Sequence, residues 1–211
     1  MTDHAQTAAA RLASSWLLWY PDDELMARLD DIATTVHELT PRYAAPLREF
    51  LNYLDTTPLL AAQAHYVATF DMKRKACAYL TYWTDGDTRN RGRAILRFKQ
   101  AYLDAGFDAG TVELADHLAV VLEFAAVGDQ LTGEALLAEH SGPIHLLRDA
   151  LAKLESPYVH VLDAAVATMP APNAETRARM AQLAATGPPA EMVGLETYPV
   201  SVTIEPIGAR R

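Results

Sequence analysis

Apolar residues recur every three or four positions through most of the chain, the spacing that places side chains on one face of an α-helix. Leu12, Trp16 and Trp19 form the first such face. The alternating pattern typical of a β-strand occurs only at residues 200–204, VSVTI, within a segment that contains several Pro and Gly. The pattern therefore predicts an all-α fold, a single-domain bundle of about ten helices.

Capping residues and glycines divide the apolar pattern into separate helices. Asp22 and Asn173 are predicted N-caps, because a short oxygen-bearing side chain can accept a hydrogen bond from the first helical turn. Gly86 is predicted to end a helix in a left-handed conformation. Residues 1–185 are expected to form the helical domain, and residues 186–211, with four Pro and three Gly, a mobile tail.

The middle of the chain contains three consecutive predicted helices. The fifth is expected at about 72–84 with Asp71 as its N-cap, and the sixth at about 88–105. The seventh, at about 113–127, is apolar on almost every side. A helix of this kind is buried all round, so we expect it at the centre of the bundle.

Bulk composition restricts the class of protein. The 211-residue chain has a net charge of −9 and a single cysteine, Cys77. Negative charge argues against nucleic-acid binding, and a lone cysteine cannot form an internal disulfide bond. The N-terminus does not resemble a secretion signal, and no apolar stretch approaches the length of a membrane span. We therefore expect a cytoplasmic protein without stable membrane insertion.

The chain lacks the sequence signatures of common catalytic sites. It contains no Gly-rich phosphate loop, no Gly-x-Ser-x-Gly elbow and no His-Glu-x-x-His motif. Its histidines are scattered rather than spaced as metal ligands. We therefore predict no catalytic residue, no metal site and no resident cofactor.

A basic patch stands out against the acidic remainder of the chain. Three of its residues lie on the predicted sixth helix at i, i+4 and i+8, so they share one stripe. Its members are Lys73, Arg74, Lys75, Arg89, Arg93 and Arg97. One interpretation is a solvated helix face. The other is a binding site for an anionic ligand that contains phosphate or a pterin nucleotide.

Aromatic residues surround this patch, and core packing is their default role. Because each buried tyrosine hydroxyl needs a hydrogen-bond partner, some of them are equally candidates for lining a groove. A second group of candidates is acidic and opens the predicted seventh helix. The candidate binding residues are Tyr66, Phe70, Asp71, Tyr79, Tyr82, Glu113, Asp116 and His117.

Several short motifs in this region resemble those of a known family. They are TFD at 69–71, YLTYWT at 79–84, GDTRNRG at 86–92 and LRFKQ at 96–100. Glu113, Asp116 and His117 match a further Glu-x-x-Asp-His signature, and EMVGLE at 191–196 is also similar. On these motifs the chain resembles the nitrate reductase molybdenum cofactor assembly chaperones, or delta subunits, within the redox-enzyme maturation chaperones.

The resemblance implies a dedicated cytoplasmic chaperone rather than an enzyme. Its partner would be the catalytic (alpha) subunit of a respiratory nitrate reductase, bound through the N-terminal segment of the apo-subunit. The chaperone would keep this subunit competent for molybdenum cofactor insertion before it docks at the membrane, with transient contact to the cofactor machinery. On this resemblance the candidate binding residues would form the groove that receives the peptide. Two alternatives remain: an anionic-ligand-binding protein that uses the basic patch, and a small helical enzyme with an unrecognised site.

Overall fold

The computed structural model describes residues 2–110 and 112–189, and the described chain is helical without a β-strand. The eleven α-helices in these residues confirm the predicted all-α class. Their bounds are α1 Asp3–Leu17, α2 Asp23–His37, α3 Pro41–Thr56, α4 Leu59–Tyr66, α5 Leu80–Asp85, α6 Arg89–Asp104, α7 Leu118–Val127, α8 Gln130–Glu139, α9 Ser141–Lys153, α10 Tyr158–Ala167 and α11 Ala174–Thr186.

The core is centred on α7, as its apolar composition predicted. Leu118, Val121 and Leu122 of this helix are completely buried. α7 packs against α1 and α8, while α10 packs against α3, α9 and α1. Burial of large aliphatic side chains contributes about 1.5–3 kcal/mol each, so this layer supplies much of the stability of the bundle.

The caps predicted at Asp22, Gly86 and Asn173 are confirmed. The Leu25 amide donates to Asp22 Oδ1 at 2.9 Å, and the Thr176 amide donates to Asn173 Oδ1 at 2.8 Å. Gly86 follows α5 with φ of 61° and ψ of −152°, a conformation that only glycine adopts without strain. These signals are local, so the sequence alone was sufficient to find them.

The prediction of a continuous fifth helix at 72–84 is wrong. Asp71 ends a π-helical turn, Val67–Asp71, instead of capping an α-helix, and a short 3₁₀ turn follows at Arg74–Ala76. The chain is then extended until α5 begins at Leu80. The three cations at positions 73–75 therefore do not occupy the first turn of an α-helix, where the helix dipole would oppose them.

The predicted start of the seventh helix at about 113 is also wrong, and one interaction explains both errors. The extended segment before α5 pairs with the segment before α7. The Leu80 amide donates to the Asp116 carbonyl at 3.0 Å, and the Leu118 amide donates to the Ala78 carbonyl at 3.0 Å. These long-range bonds hold both segments extended, so α7 begins only at Leu118.

Residues 190–211, on which most of the predicted mobile tail and the strand-like pattern at 200–204 fall, lie outside the described residues. Among the helices that the structure describes, none is long and apolar enough to cross a membrane.

Candidate functional site: an aromatic cleft with an acidic rim

A cleft of about 450 Å³ opens between the end of α1, the end of α6 and the outer side of α7. Its lining comes from three separate stretches of chain, residues 16–25, 102–113 and 120–128. The apolar and aromatic lining residues are Trp16, Trp19, Tyr20, Leu25, Tyr102, Phe107, Ala109, Val112, Val120, Phe124 and Val127. Most ligand sites are concave and largely apolar in this way, with a few polar groups that fix orientation.

The charged residues that line the cleft all have the same sign. They are Asp22, Glu24, Asp108, Glu113 and Glu123. Among the described residues that line the cleft, none is Lys or Arg. Charges of one sign around a partly enclosed apolar surface concentrate oppositely charged ligands there. The cleft therefore suits an apolar ligand that carries positive charge.

The tryptophans of the cleft belong to the last turn of α1 and the residues that follow it. The guanidinium of Arg28, on α2, lies 4.1 Å from the centre of the Trp16 ring, a cation–π contact. Trp19 stacks on the imidazole of His117 with ring centres 5.6 Å apart. Contacts from two other segments thus hold both rings in place at the cleft wall.

Glu113 lines the cleft and is held by two donors. Tyr79 Oη donates to Glu113 Oε1 at 2.9 Å, and the Leu114 amide donates to the same oxygen at 2.7 Å. Burial raises the pKa of Tyr79 well above its ordinary value, and Glu113 adds to this increase. The tyrosine is therefore a neutral donor that fixes the carboxylate at the rim.

Asp116 is completely buried and joins the two extended segments behind the cleft wall. Its Oδ2 accepts hydrogen bonds from the Thr81 amide at 3.1 Å and from the Thr81 hydroxyl at 2.6 Å. These bonds cap the start of α5 with a side chain that lies 35 residues away in sequence. Asp116 thereby fixes where Tyr79 and His117 stand relative to each other.

His117 is the N-cap of α7, and its Nδ1 accepts from the Ala119 amide at 3.3 Å. Burial lowers the pKa of His117, against the opposing effect of Glu113 and Asp116. A capping acceptor must be the neutral imidazole, so the geometry agrees with a lowered pKa. The neutral ring also packs edge-on against Tyr79, with centres 5.1 Å apart.

The structure brings five of the candidate residues together at the cleft or directly behind its wall. Glu113 lines it, while Tyr79, Asp116 and His117 support the wall. Tyr66 lies behind the cleft wall and contacts the lining residue Tyr20, with ring centres 5.4 Å apart. Of these five residues only Glu113 lines the cleft, and the other four lie behind its wall.

The other three candidates lie elsewhere. Phe70 packs between Tyr66 and Tyr158, with ring centres 4.8 and 4.9 Å apart, inside the aromatic core. Tyr82 is buried on α5, with the Arg91 guanidinium 5.8 Å from the centre of its ring. Asp71 is exposed at the end of the π-helical turn. The structure therefore places none of these three in the cleft lining.

Sequence reasoning missed most of the lining of this cleft. Trp16 and Trp19 were assigned to the buried face of the first helix, yet both are only half-buried. Phe107 and Val112 lie in a connection that carried no helical pattern. The sequence did contain one signal for the cleft. Trp16 and Trp19 lie a few residues before the acidic run that begins at Asp22, and large aromatic side chains close to several acids are unusual for a buried core.

The basic patch is on a different surface. Arg89, Arg93 and Arg97 are exposed on α6, as their spacing predicted, and Arg74 pairs with Asp87 at 3.4 Å. Neither the large cleft nor the smaller one between α1 and α2 is lined by a residue of this patch. Within the described residues there is also no cluster of His, Cys, Asp and Glu suited to a metal ion.

Comparisons with known proteins give the context for this site. A family model described as nitrate reductase delta subunit matches residues 37–164 of the chain. The chain is 41% identical to the nitrate reductase-like protein NarX of Mycobacterium tuberculosis (strain ATCC 25618 / H37Rv) over 162 residues. That match covers 74% of this chain but only 23% of NarX, so the chain corresponds to less than a quarter of that protein.

Shorter relatives match over most of their own length. The chain is 33% identical over 161 residues to the probable nitrate reductase molybdenum cofactor assembly chaperone NarJ of Bacillus subtilis (strain 168), covering 74% of this chain and 86% of that protein. It is 31% identical over 152 residues to the nitrate reductase molybdenum cofactor assembly chaperone NarJ of Escherichia coli (strain K12), covering 71% and 64%. The chain belongs to the nitrate reductase delta subunit family.

Proposed function

We propose that the protein is a cytoplasmic, non-catalytic chaperone of nitrate reductase that supports molybdenum cofactor insertion. Its partner would be the catalytic subunit, captured through its N-terminal segment. Family membership and the names of the NarJ relatives support the chaperone role. The aromatic cleft with its acidic rim is the observation that supports capture of a peptide most directly.

The chemistry of the cleft defines the peptide that it would accept. An amphipathic helix can lay its apolar face into a groove and present a few anchor side chains to it. The aromatic lining offers surfaces for such anchors, and the five carboxylates around it favour Lys or Arg on the flanks of the peptide. A segment that is apolar on one face and basic on the other meets both requirements.

The mechanism needs no chemical step by this chain. Burial of the apolar face of the peptide supplies affinity, while the acidic rim raises the association rate and sets orientation. A captured N-terminal segment is withheld from other partners while the remainder of the catalytic subunit stays accessible. The cofactor is cargo of the client in this scheme, and the chain itself holds none.

Calorimetric titration with a synthetic peptide from the N-terminus of the catalytic subunit tests the proposal. We expect one peptide per chain and a negative heat-capacity change, the signature of apolar burial. The double substitution Val112→Ser with Val127→Ser removes apolar surface from the cleft mouth. Because Val112 is 94% exposed and Val127 is also exposed, folding should be unaffected. Affinity should fall on the order of tenfold.

A matched control uses exposed apolar residues that do not line the cleft. Leu60 and Leu131 are 78% and 79% exposed. Their replacement by Ser should leave affinity unchanged. Equal losses in both double variants, or no measurable binding to the wild type at low salt, would refute peptide capture by the cleft. In that case the anionic-ligand alternative, with phosphate or a pterin nucleotide on the basic patch, becomes the first hypothesis to test.

A further inference from the structure

Glu123 is the one charged residue of α7, whose ten residues are otherwise apolar. Val120, Phe124 and Val127 line the cleft on the same side of this helix, one turn before Glu123, beside it and one turn after it. Glu123 is half-buried in this position. A carboxylate there gives up part of its hydration, a loss that an apolar side chain would not suffer.

Backbone amides hold two of the other carboxylates that line the cleft. Asp22 Oδ1 accepts from the Leu25 amide at 2.9 Å and thereby caps α2. Asp108 Oδ1 accepts from the Gly110 amide at 3.0 Å. Both of these acids therefore have a role in the local structure of the chain, besides their charge.

Side chains hold two further carboxylates, and Glu123 differs from all four. Glu24 pairs with the Arg28 guanidinium at 2.9 Å, and Glu113 accepts from the Tyr79 hydroxyl at 2.9 Å. Glu123 makes no hydrogen bond or ion pair with any residue that the structure describes. Of the five cleft carboxylates it is thus the one that is left for a ligand.

The fold gains nothing from a charge at this position. Replacing a partly buried charged group by an uncharged one of similar size is often neutral or stabilising. The surroundings of Glu123 instead favour contact with a cation that enters the cleft. A charge pair formed against the apolar wall is screened less by water than a pair at an exposed rim, so it discriminates more strongly between ligands.

We propose that Glu123 is the specificity-determining residue of the cleft and pairs with a Lys or Arg that lies within the apolar face of the bound peptide. This inference rests on the proposed capture of a peptide by the cleft. The wall residues Val120 and Val127 are two helical turns apart, about 10 Å. A helical peptide laid along α7 therefore carries apolar residues three or four positions before and after the cation that meets Glu123.

Calorimetric titration of the full chain with variants of the catalytic-subunit peptide tests this pairing. Each Lys or Arg of the synthetic peptide is replaced in turn by norleucine, which keeps an apolar stem and removes the charge. For one basic residue, flanked by apolar residues on the same face, the replacement should weaken binding to the wild type about tenfold. In Glu123→Gln the same replacement should have almost no further effect, because its partner charge is already absent.

A charge reversal and a matched control sharpen the test. Glu123→Lys, combined with a peptide in which that basic residue is Glu, should recover most of the affinity lost by either change alone. Glu24→Gln removes an equal charge from the cleft lining, but from a carboxylate that already pairs with Arg28. In this variant the norleucine replacement should weaken binding as much as it does in the wild type.

Thermal unfolding separates a role in binding from a role in the fold. Glu123→Gln and Glu123→Leu should melt at the temperature of the wild type or above it, since no contact within the described residues is lost. A clear loss of thermal stability in Glu123→Gln would show that the carboxylate serves the fold, and would overturn the proposal.

The binding data distinguish failure of this pairing from failure of peptide capture. No binding of the unmodified peptide to the wild type would refute capture, and the pairing with it. Binding in which every norleucine replacement costs as much in Glu123→Gln as in the wild type would leave capture intact and overturn the role of Glu123. Coupling of the peptide cation to Glu24 as large as that to Glu123 would also overturn it, because the carboxylates would then act only through their summed field.

Discussion

The cleft and the α6 outer face are two surfaces of opposite character on one small bundle. The cleft is aromatic and surrounded by carboxylates, whereas the α6 outer face, formed by Arg93, Leu96, Arg97 and Leu103, carries two exposed arginines beside two exposed leucines. α6 contributes to both, since its buried Tyr102 also lines the cleft. The carboxylates of the cleft come from residues outside α6, so substitutions on the two surfaces can separate their effects.

The largest effect is expected where the cleft wall is held together. Asp116→Ala leaves the amide and hydroxyl of Thr81 without their buried acceptor. We expect the free energy of unfolding to fall by about 2–3 kcal/mol, measured by denaturant titration. Asp116→Asn should cost clearly less, because its amide oxygen can still accept both bonds and its NH₂ occupies the place of Oδ1, which has no partner among the described residues. Equal losses in the two variants would contradict a capping role for Asp116.

The next largest effect is expected on peptide affinity when the carboxylates of the cleft rim are neutralised. Neutralising the rim with Asp108→Asn and Glu123→Gln should weaken binding of a basic catalytic-subunit peptide about tenfold at low salt, mainly by slowing association. Surface plasmon resonance measures this directly. Neutralising exposed acids outside the cleft, with Asp30→Asn and Asp55→Asn, should have little effect. A similar loss in both variants would mean that net charge, and not the rim, attracts the peptide.

A smaller effect is expected from pH. Burial lowers the pKa of His117 below its ordinary value of 6.5, so the unfolded chain binds a proton more readily than the folded chain does. The unfolded state then holds more protons in this range, and stability should decline as pH falls below about 6.5. His65 and His140 contribute in the same direction. Thermal unfolding of His117→Gln should show a shallower pH dependence than the wild type between pH 5 and 7, roughly the range in which histidine titrates. An unchanged slope would show that His117 is not a main contributor.

The smallest effect concerns the α6 outer face. Arg93→Ala with Arg97→Ala should change the free energy of unfolding by less than about 0.5 kcal/mol, since exposed substitutions rarely do more. Affinity for the basic peptide should be unchanged, because the cleft lining includes neither residue. Thermal unfolding and calorimetry check the two parts. A large loss of stability would indicate internal pairing of these arginines, and reduced peptide affinity would join the two surfaces into one site.

Local signals were sufficient for most of the fold but not for the cleft. The caps at Asp22 and Asn173 and the glycine at position 86 depend on neighbouring residues only, so the sequence revealed them. The fifth and seventh helices were mispredicted because Ala78 pairs with Leu118, 40 positions further along the chain, and Leu80 pairs with Asp116, 36 positions further along. The spacing of apolar residues along the chain carries no information about such long-range backbone pairing.

The candidate site shows the same limit. Its lining converges from three stretches of chain, and side chains such as Phe107 and Val112 carry no pattern that sets them apart. Glu113, Asp116 and His117 were singled out by their acidic cluster and by resemblance, and the structure gives each a specific contact at the cleft wall. Their part in binding a client stays a prediction.

Tryptophan fluorescence offers the most direct test that the cleft receives the peptide. The chain has three tryptophans, and Trp16 and Trp19 line the cleft, whereas Trp83 is buried elsewhere with its indole donating to the Cys77 carbonyl at 2.9 Å. Titrating the catalytic-subunit peptide into Trp83→Phe should give a saturable change in emission, and the same titration of Trp16→Phe with Trp19→Phe should give none. Binding that calorimetry detects in both variants, with no change in the emission of Trp16 and Trp19, would contradict peptide capture by the cleft.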